Sequence, residues 1–430
     1  LQRDDETVDV RLDPSDARRE VVDGESESHA DDPTQRGRAH RSTKHRAGDP
    51  DRISLSFPRS RYESSLMRIL FVVTDADVGG AERLLATLAR SWEKSDVLRL
   101  VVVMEPGSLS AELERSFDSV HYLGYSASSR NIVAMVHSLE KEIAAFEPDV
   151  ISSNLFHADL LTALARTRVP KATTMHTQRL TAEDHPLTRL IARAVGVLSF
   201  RFRAVIPVDS SESMRVFLRR LHMRNVVEPI RNSAELAASA TFDPHSRVFL
   251  SLARNHPVKG HDVLFKAFAS VADELPDWSL RAHGPGVQED DERMTHLIED
   301  AGVSDLVAEG RLSLAGPTSN PAVALEGSAA LIISSKYGEA FPVVGAEAAG
   351  SGVPVITTDI GSCAGFVDDD RFLVRPDDPS DLARAMREFA HLTDAERGRL
   401  SATARSRAER EYDPRVTASR YRDLFVRLIR

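Results

Sequence analysis

Two glutamates, Glu339 and Glu347, stand on either side of Phe341-Pro342-Val343-Val344-Gly345. Ionised carboxylates accept hydrogen bonds from hydroxyl groups. Pro342 suits the first turn of a helix, where a missing N–H costs nothing. The free N–H groups of Val343, Val344 and Gly345 would then form an anion site at the helix N-terminus. Carboxylates beside an anion site suit a ligand that is part phosphate and part polyol, as a nucleotide sugar is. The elements around them follow from local pattern. Ala329-Ala330-Leu331-Ile332-Ile333 reads as a buried strand, Gly350 and Gly352 suit the end of the helix, and Pro354-Val355-Ile356-Thr357-Thr358 reads as the next strand. The order is strand, loop with Glu339, short helix with Glu347, strand.

Other residues could serve the same ligand. Arg254 and Lys259 flank Asn255-His256-Pro257-Val258, between a strand and a helix that buries Val263, Leu264, Ala267, Phe268 and Val271. Two cations in such a loop could neutralise a diphosphate, or could be solvated surface charges. Their place in the same half of the chain as Glu339 and Glu347 favours the diphosphate. Gly79 and Gly80 permit close backbone approach to a ligand but also serve as simple turn glycines. His283-Gly284-Pro285-Gly286 ends a strand and is open to the same two readings. His176 closes the strand from Lys171, where it would point into a cleft or else pack. His157 is expected to be structural. Asp75 and Asp77 have the spacing of a metal-binding carboxylate pair, but no other ligands cluster near them, and no metal is expected. Cys363 has no thiolate-forming context and stays unassigned.

Composition narrows the function classes. At 430 residues the chain is long enough for two domains of ordinary size. A net charge of −10 argues against general nucleic-acid binding. The lone Cys363 excludes a disulfide framework and a cysteine-rich metal site, which points to a reducing, cytoplasmic setting. No stretch approaches the roughly 18 apolar residues of a membrane span, and no apolar core after the early charges marks a secretion signal. There is no GxSxG elbow, Walker loop or His-Glu-x-x-His.

The chain divides into four parts. Residues 1–66 are rich in Asp, Glu, Arg and Ser and too poor in apolar residues to offset ordering entropy. They are expected to be disordered, either as a genuine extension or as residues upstream of a biological start at Met67. Residues 67–235 alternate strands (Arg68–Thr74, Val97–Met104, Asp149–Ser153, Lys171–His176, Ala204–Asp209) with helices (Ala81–Trp92, Ile132–Phe146, Asp159–Arg166). Residues 236–412 open with a linker-like lapse in pattern and then repeat the alternation from Val248. Residues 413–430 carry Tyr421, Leu424, Phe425 and Leu428 at helical spacing. This is an α/β chain of two parallel-sheet domains with a ligand cleft between their carboxyl ends. Residues 187–208 mix Arg189, Arg193, Arg201 and Arg203 with apolar residues. They read as a core-packed helix running into a strand; the alternative is a basic amphipathic helix in peripheral contact with an anionic membrane.

Taken together, these motifs resemble the family-4 retaining glycosyltransferases. The resemblance rests on Gly338-Glu339-x7-Glu347 with Gly350-Ser-Gly-Val-Pro354, on Gly79-Gly80-Ala81-Glu82, and on Asn154-Leu-Phe-His157-Ala-Asp. Thr174-Met-His176-Thr, Ala253-Arg254-Asn-His-Pro-Val-Lys259-Gly260-His and Thr358-Asp-Ile-Gly361-Ser add to it. It runs from about Met67 to the C-terminus. It implies the GT-B fold, two Rossmann-like domains facing across a cleft, with the final helix crossing back to the first domain. It implies further that Glu339 contacts the donor sugar, Glu347 the ribose hydroxyls, and Arg254 and Lys259 the diphosphate. The Gly79-Gly80 loop would approach the donor phosphate, with His176 near the transferred sugar. The catalytic set is then Glu339, His176, Arg254 and Lys259. The donor-binding set is Gly79, Gly80, Arg254, Lys259, Gly284, Phe341, Pro342, Val343, Val344 and Glu347. Two departures bear on donor detail: Ala340-Phe341-Pro342 replaces the frequent Gly-Phe-Gly, and Glu347-Ala-Ala the frequent Glu-Ala-Met.

The reaction so implied moves a sugar from a nucleotide-diphosphate sugar to a glycan, lipid-linked or small-molecule acceptor, without a metal ion. The nucleotide sugar is a co-substrate rather than a cofactor. Negative charge growing on the leaving diphosphate would be met by Arg254, Lys259 and the helix N-terminus. Glu339 would orient the sugar and is not assigned as a covalent nucleophile. A nucleotide-sugar epimerase or phosphorylase on the same fold, and a non-catalytic nucleotide-sugar or glycan-binding protein, are the alternatives.

Overall fold

Among the described residues, twelve short strands, the central ones apolar runs, build two parallel sheets. The computed structural model describes residues 66–77, 79–126, 128–180, 185–237, 242–318 and 320–430. The expected disordered segment, apart from Leu66, lies outside the described residues, as does part of the expected linker, 238–241.

The first sheet comprises β1 (Arg68–Val73), β2 (Val97–Met104), β3 (Ser119–Tyr125), β4 (Val150–Asn154), β5 (Lys171–Met175) and β6 (Ala204–Pro207), in the order β3-β2-β1-β4-β5-β6. The second comprises β7 (Val248–Leu252), β8 (Ser279–His283), β9 (Leu312–Leu314), β10 (Ala330–Ile333), β11 (Val355–Thr358) and β12 (Leu373–Val374), in the order β12-β11-β10-β7-β8-β9. Counted within its own domain, each sheet has the doubly wound order 3-2-1-4-5-6. All ladders between named strands are parallel, and helices cross over between strands. Central strands such as β1 and β10 are buried on both faces, which their Val/Ile/Leu runs require.

β3 and β12 are absent from the pattern read in the sequence. Six of the seven β3 residues are half-buried, because the strand lies at the sheet edge and carries Ser, His and Gly. β12 has two residues. The helix placed at Asp159–Arg166 runs from Phe156 to Leu164 instead. Leu155, at φ 72°, turns the chain into it directly after β4.

Trp92 lies just past the end of the Gly80–Arg90 helix and packs edge-on against Phe71 at 5.8 Å. The Pro414–Ile429 helix lies on the first sheet's helical layer. Phe425 stacks on Trp92 at 6.0 Å, and Arg422 Nε donates to the buried carboxylate of Asp96 at 2.8 Å. The preceding Asp394–Glu411 helix packs in the second domain against the Val343–Gly350 helix. One apolar cluster runs through Met175 and Val208 of the first domain to Phe341, Ala346 and Tyr412. The two sheets thus share buried surface beside their facing carboxyl ends.

Candidate functional site

The site is assembled from loops that leave the carboxyl ends of β1, β5, β7, β8 and β10. In the second domain, hydrogen bonds to backbone carbonyls fix three loops to one another. Asn255 N–H donates to Pro285 O (2.8 Å), Lys336 N–H to Val258 O (2.7 Å) and Ser334 Oγ to Lys259 O (2.9 Å). Gly260, at φ +66°, sits where a Cβ would lie 2.1 Å from the Ser334 carbonyl, so the loops meet only because that residue is glycine. Gly284 is similarly crowded, since a Cβ there would fall 2.0 Å from Ala253 O.

This framework brings Glu339 and Lys259 together. Lys259 Nζ donates to Glu339 Oε2 at 2.5 Å, and Ser335 Oγ donates to the same oxygen at 2.9 Å. Burial opposes ionisation of Glu339. The charge and hydrogen bond of Lys259, with Ser335 and the nearby charge of Arg254, outweigh it and hold the pKa below the ordinary carboxylate value. Arg254 is exposed in the loop after β7. An ammonium has three donors, so Lys259 can keep Glu339 while also meeting an anion.

Glu347 lies on the Val343–Gly350 helix, half-buried. Burial raises its pKa, Arg83 of the first domain works against this, and Glu235 adds to it. Pro342 is the N-cap and offers no side-chain hydrogen bond, so the first-turn N–H groups of Val343 and Val344 have no side-chain cap. Phe341 differs from the expected site role in its side chain. The ring is buried between Phe366 (5.2 Å) and Tyr412 (5.6 Å), and only its backbone is left to face a ligand.

The first domain contributes different chemistry. Gly79 caps the Gly80–Arg90 helix, and a Cβ at Gly80 would lie 4.0 Å from Val343 Cγ2, so this loop abuts the start of the second-domain helix. Gly79 leaves room for the buried carboxyl of Glu82, which a Cβ there would strike at 2.1 Å. Burial pushes the Glu82 pKa to about 7, and Asp75 and Asp77 add to the rise. Asp75 and Asp77 bind within their own loop and to Ser108. Among the described residues, no group of three or more His, Cys, Asp or Glu could hold a metal ion. His176 follows β5. Burial lowers its pKa to about 4, so the ring is neutral at pH 7. Its Nε2 lies 3.0 Å from Asn154 Oδ1, while Nδ1 is buried without a hydrogen-bond partner among the described residues. His157 is half-buried, and burial lowers its pKa too.

One residue of the cleft escaped the sequence reading. Gln178 Nε2 donates to the backbone carbonyl of Glu339, while its Oε1 accepts from Ser211 Oγ (3.1 Å) and Ser213 Oγ (2.6 Å). Beside it the Arg179 guanidinium lies 4.6 Å from the centre of the Tyr337 ring. Gly361, at φ +59°, leaves room for this bridge, since a Cβ there would meet Glu339 O at 1.9 Å. A glutamine spaced by no motif gives no sequence signal for a contact spanning 161 residues.

Comparison with known proteins places this geometry. The model for glycosyl transferases group 1 matches residues 232–407, and that for Glycosyltransferase Family 4 matches residues 78–236. A D-inositol 3-phosphate glycosyltransferase of Nocardioides is 27% identical over 307 residues, 64% of this chain and 67% of that protein. An exopolysaccharide phosphotransferase of Streptomyces coelicolor is 34% identical over 133 residues, 30% of this chain and only 13% of that protein. HepE of Anabaena, crystallised with UDP and glucose, superposes with a TM-score of 0.67 at 19% identity, over 84% of this chain and 99% of that one. At that identity the likeness speaks for the two-domain GT-B fold.

Proposed function

The chain belongs to the family-4, group 1 glycosyltransferases, and from that premise we propose that it moves a sugar from a nucleotide-diphosphate sugar to a hydroxyl acceptor with retention of anomeric configuration. The observation that carries this reading is the Lys259–Glu339 pair. A carboxylate is held ionised beside two cations, next to a helix whose first N–H groups lack a side-chain cap. Arg254, Lys259 and the N–H groups of Val343 and Val344 take the charge that grows on the leaving diphosphate. Glu339 orients the sugar hydroxyls and offsets positive charge at the anomeric carbon. Glu347 accepts from the ribose. Neutral His176 faces the transferred sugar. The Gly79-Gly80 loop closes over the phosphates, and the loop of Gly284 borders the nucleotide. The reaction so drawn assigns no step to a metal ion, and adding a chelator should leave turnover unchanged.

HepE's complex with UDP and glucose makes UDP-sugars the first donors to try, and the named relatives make phosphorylated polyols and polysaccharide chains the first acceptors. We place the protein in the cytoplasm, where its one cysteine stays a buried free thiol. No helix among the described residues is long and apolar enough to cross a membrane. Peripheral contact through residues 187–208 is supported by Leu190, Val197 and Phe200, which are exposed beside Arg193, Arg201 and Arg203. The test is a panel of UDP- and GDP-sugars read by thermal shift, followed by NMR of the product's anomeric proton. An inverted product would sink the retaining mechanism. Epimerised donor formed without acceptor would replace transfer with epimerisation.

A further inference from the structure

At the end of the first sheet away from the cleft, positive charge gathers around a cavity of about 600 Å³. Its walls are the connection leading into β5 and the turn leading into β6, and they carry Arg166, Arg168, Lys171, Arg201 and Arg203. Lys171 opens β5, whereas His176 follows its other end. Five residues of extended chain, about 16 Å, therefore lie between this cavity and the cleft.

Part of the charge has structural work. Lys171 Nζ donates to Ala165 O (2.7 Å) and Arg201 Nη1 to Ala163 O (2.9 Å), which closes the carboxyl end of the Phe156–Leu164 helix. Arg203 Nη1 donates to Leu428 O (2.5 Å) near the end of the last helix. Each helix terminus offsets roughly half a charge. Glu140 also approaches, its Oε1 accepting the Arg166 backbone N–H at 2.7 Å. Among the described residues, this one carboxylate and two helix ends face five cations, so positive charge is in excess around the cavity. The strain registers at Lys171, where burial first and then the charge of Arg201 hold the pKa down to about 8, although Glu140 pulls it up. Arg166 and Arg168 are exposed on the rim, and Lys171 and Arg201, which carry more N–H groups than these bonds use, line the same cavity.

We propose that this cavity binds a phosphate group, carried either by a small soluble ester or by the headgroup of an anionic lipid. Arg166 and Arg168 grip its oxygens from the rim, and Lys171 and Arg201 from the floor. Arginine suits this role because its planar fork matches phosphate oxygens in pairs. Phe200, 55% exposed and adjacent to Arg201, gives a lipid source somewhere to bury its acyl boundary. The site does not depend on glycosyl transfer, and its failure would leave that reading intact.

The test uses the full chain carrying Arg254→Ala, which weakens the anion site in the cleft. Titration with inorganic phosphate and with glycerol 3-phosphate, read by calorimetry, should show saturable binding. Adding Arg166→Ala and Arg168→Ala should weaken it at least about tenfold. Both arginines are exposed, and an unchanged circular dichroism spectrum would confirm folding. Sedimentation with phosphatidylglycerol vesicles, against phosphatidylcholine vesicles, separates the sources. Vesicle binding lost in the double variant and in Phe200→Ser assigns the phosphate to a lipid. Phosphate binding without vesicle binding assigns it to a soluble ester. No saturable binding of phosphate, ester or vesicle, or binding unchanged by the double substitution, overturns the proposal.

Discussion

The two sheets share one strand order, yet the surfaces they turn towards each other differ in electrostatics. In the first domain, burial drives ionisable groups towards their neutral forms: His176 to about 4 and Glu82 to about 7 beside the cleft, and Asp159 to about 7 in the interior behind them. In the second, Lys259 is paired with Glu339 and Lys336 with Asp262 at 2.8 Å, although burial raises the pKa of Glu347 there too. Identical topology therefore does not dictate the ligand; the loops at the strand ends do. A face of neutral acceptors and donors suits hydroxyl-rich groups. A face of cations and an uncapped helix end suits a diphosphate. The proposed transfer would use both, one on each side of the bond being broken.

Replacing Glu339 by Gln breaks the charged side most directly. It keeps the shape and removes the charge that Lys259 and Ser335 hold in place. We expect kcat to fall about a hundredfold to a thousandfold with little change in nucleotide affinity. Full transfer by this variant, measured with radiolabelled donor, would show that the ionised carboxylate is not needed. Arg254→Ala should act on the same side but through the diphosphate. Loss of one charge-assisted contact lowers kcat/KM roughly tenfold to a hundredfold. Because the Arg254 side chain is exposed and its backbone carbonyl, which meets His261 Nε2 at 3.3 Å, is kept by alanine, the variant's melting temperature should not move.

Gln178 joins the two faces, so its removal tests whether they must be held in register. Gln178→Ala deletes a neutral hydrogen bond to the Glu339 carbonyl, and the expected cost is about threefold to tenfold in kcat. Small-angle scattering with and without nucleotide should show a less closed pair of domains. A change confined to stability, with kcat and KM untouched, would make Gln178 a packing residue only.

How much of this was legible in the sequence depends on how far apart the cooperating residues lie. The apolar runs of β1, β2 and β10 stand out because a strand buried on both faces must be continuously hydrophobic. Glu339 and Glu347 stand out because one loop and one helix carry both. Edge strand β3 shows no such run, since one side of it meets water. Phe341 sits in the right loop, but its ring turns inward to Phe366 and Tyr412, a choice made by packing rather than by spacing. Gln178 owes its place to residues 33, 35 and 161 positions away, and no local pattern encodes that. The basic cavity likewise draws on two separate connections: the stretch with Arg201 and Arg203 stands out as basic, but nothing local ties it to Arg166 and Arg168.

The smallest effect tests the neutral interior behind the first domain's face. Asp159 is fully buried, and its Oδ1 accepts from Ser153 Oγ (2.6 Å) and Thr173 Oγ1 (2.7 Å), two donors that tie β4 and β5 to the helix between them. Burial raises its pKa from 3.8 to about 7, against the pull of those two hydroxyls. Between these values the folded chain holds a proton that the unfolded chain has lost. Stability must therefore fall as pH rises through that window, and the group's contribution is spent above about 7. Asp159→Asn keeps an oxygen for both hydroxyls and cannot ionise. Urea unfolding at pH 5 and pH 8 should show the wild-type chain losing stability over this interval relative to the variant. We expect a difference on the order of 1 kcal/mol, smaller than full burial of a charge because the hydroxyls and local relaxation share the cost. Parallel pH profiles for the two proteins would mean that Asp159 is ionised in the folded state, and the neutral character of the first domain's interior would then rest on His176 and Glu82 alone.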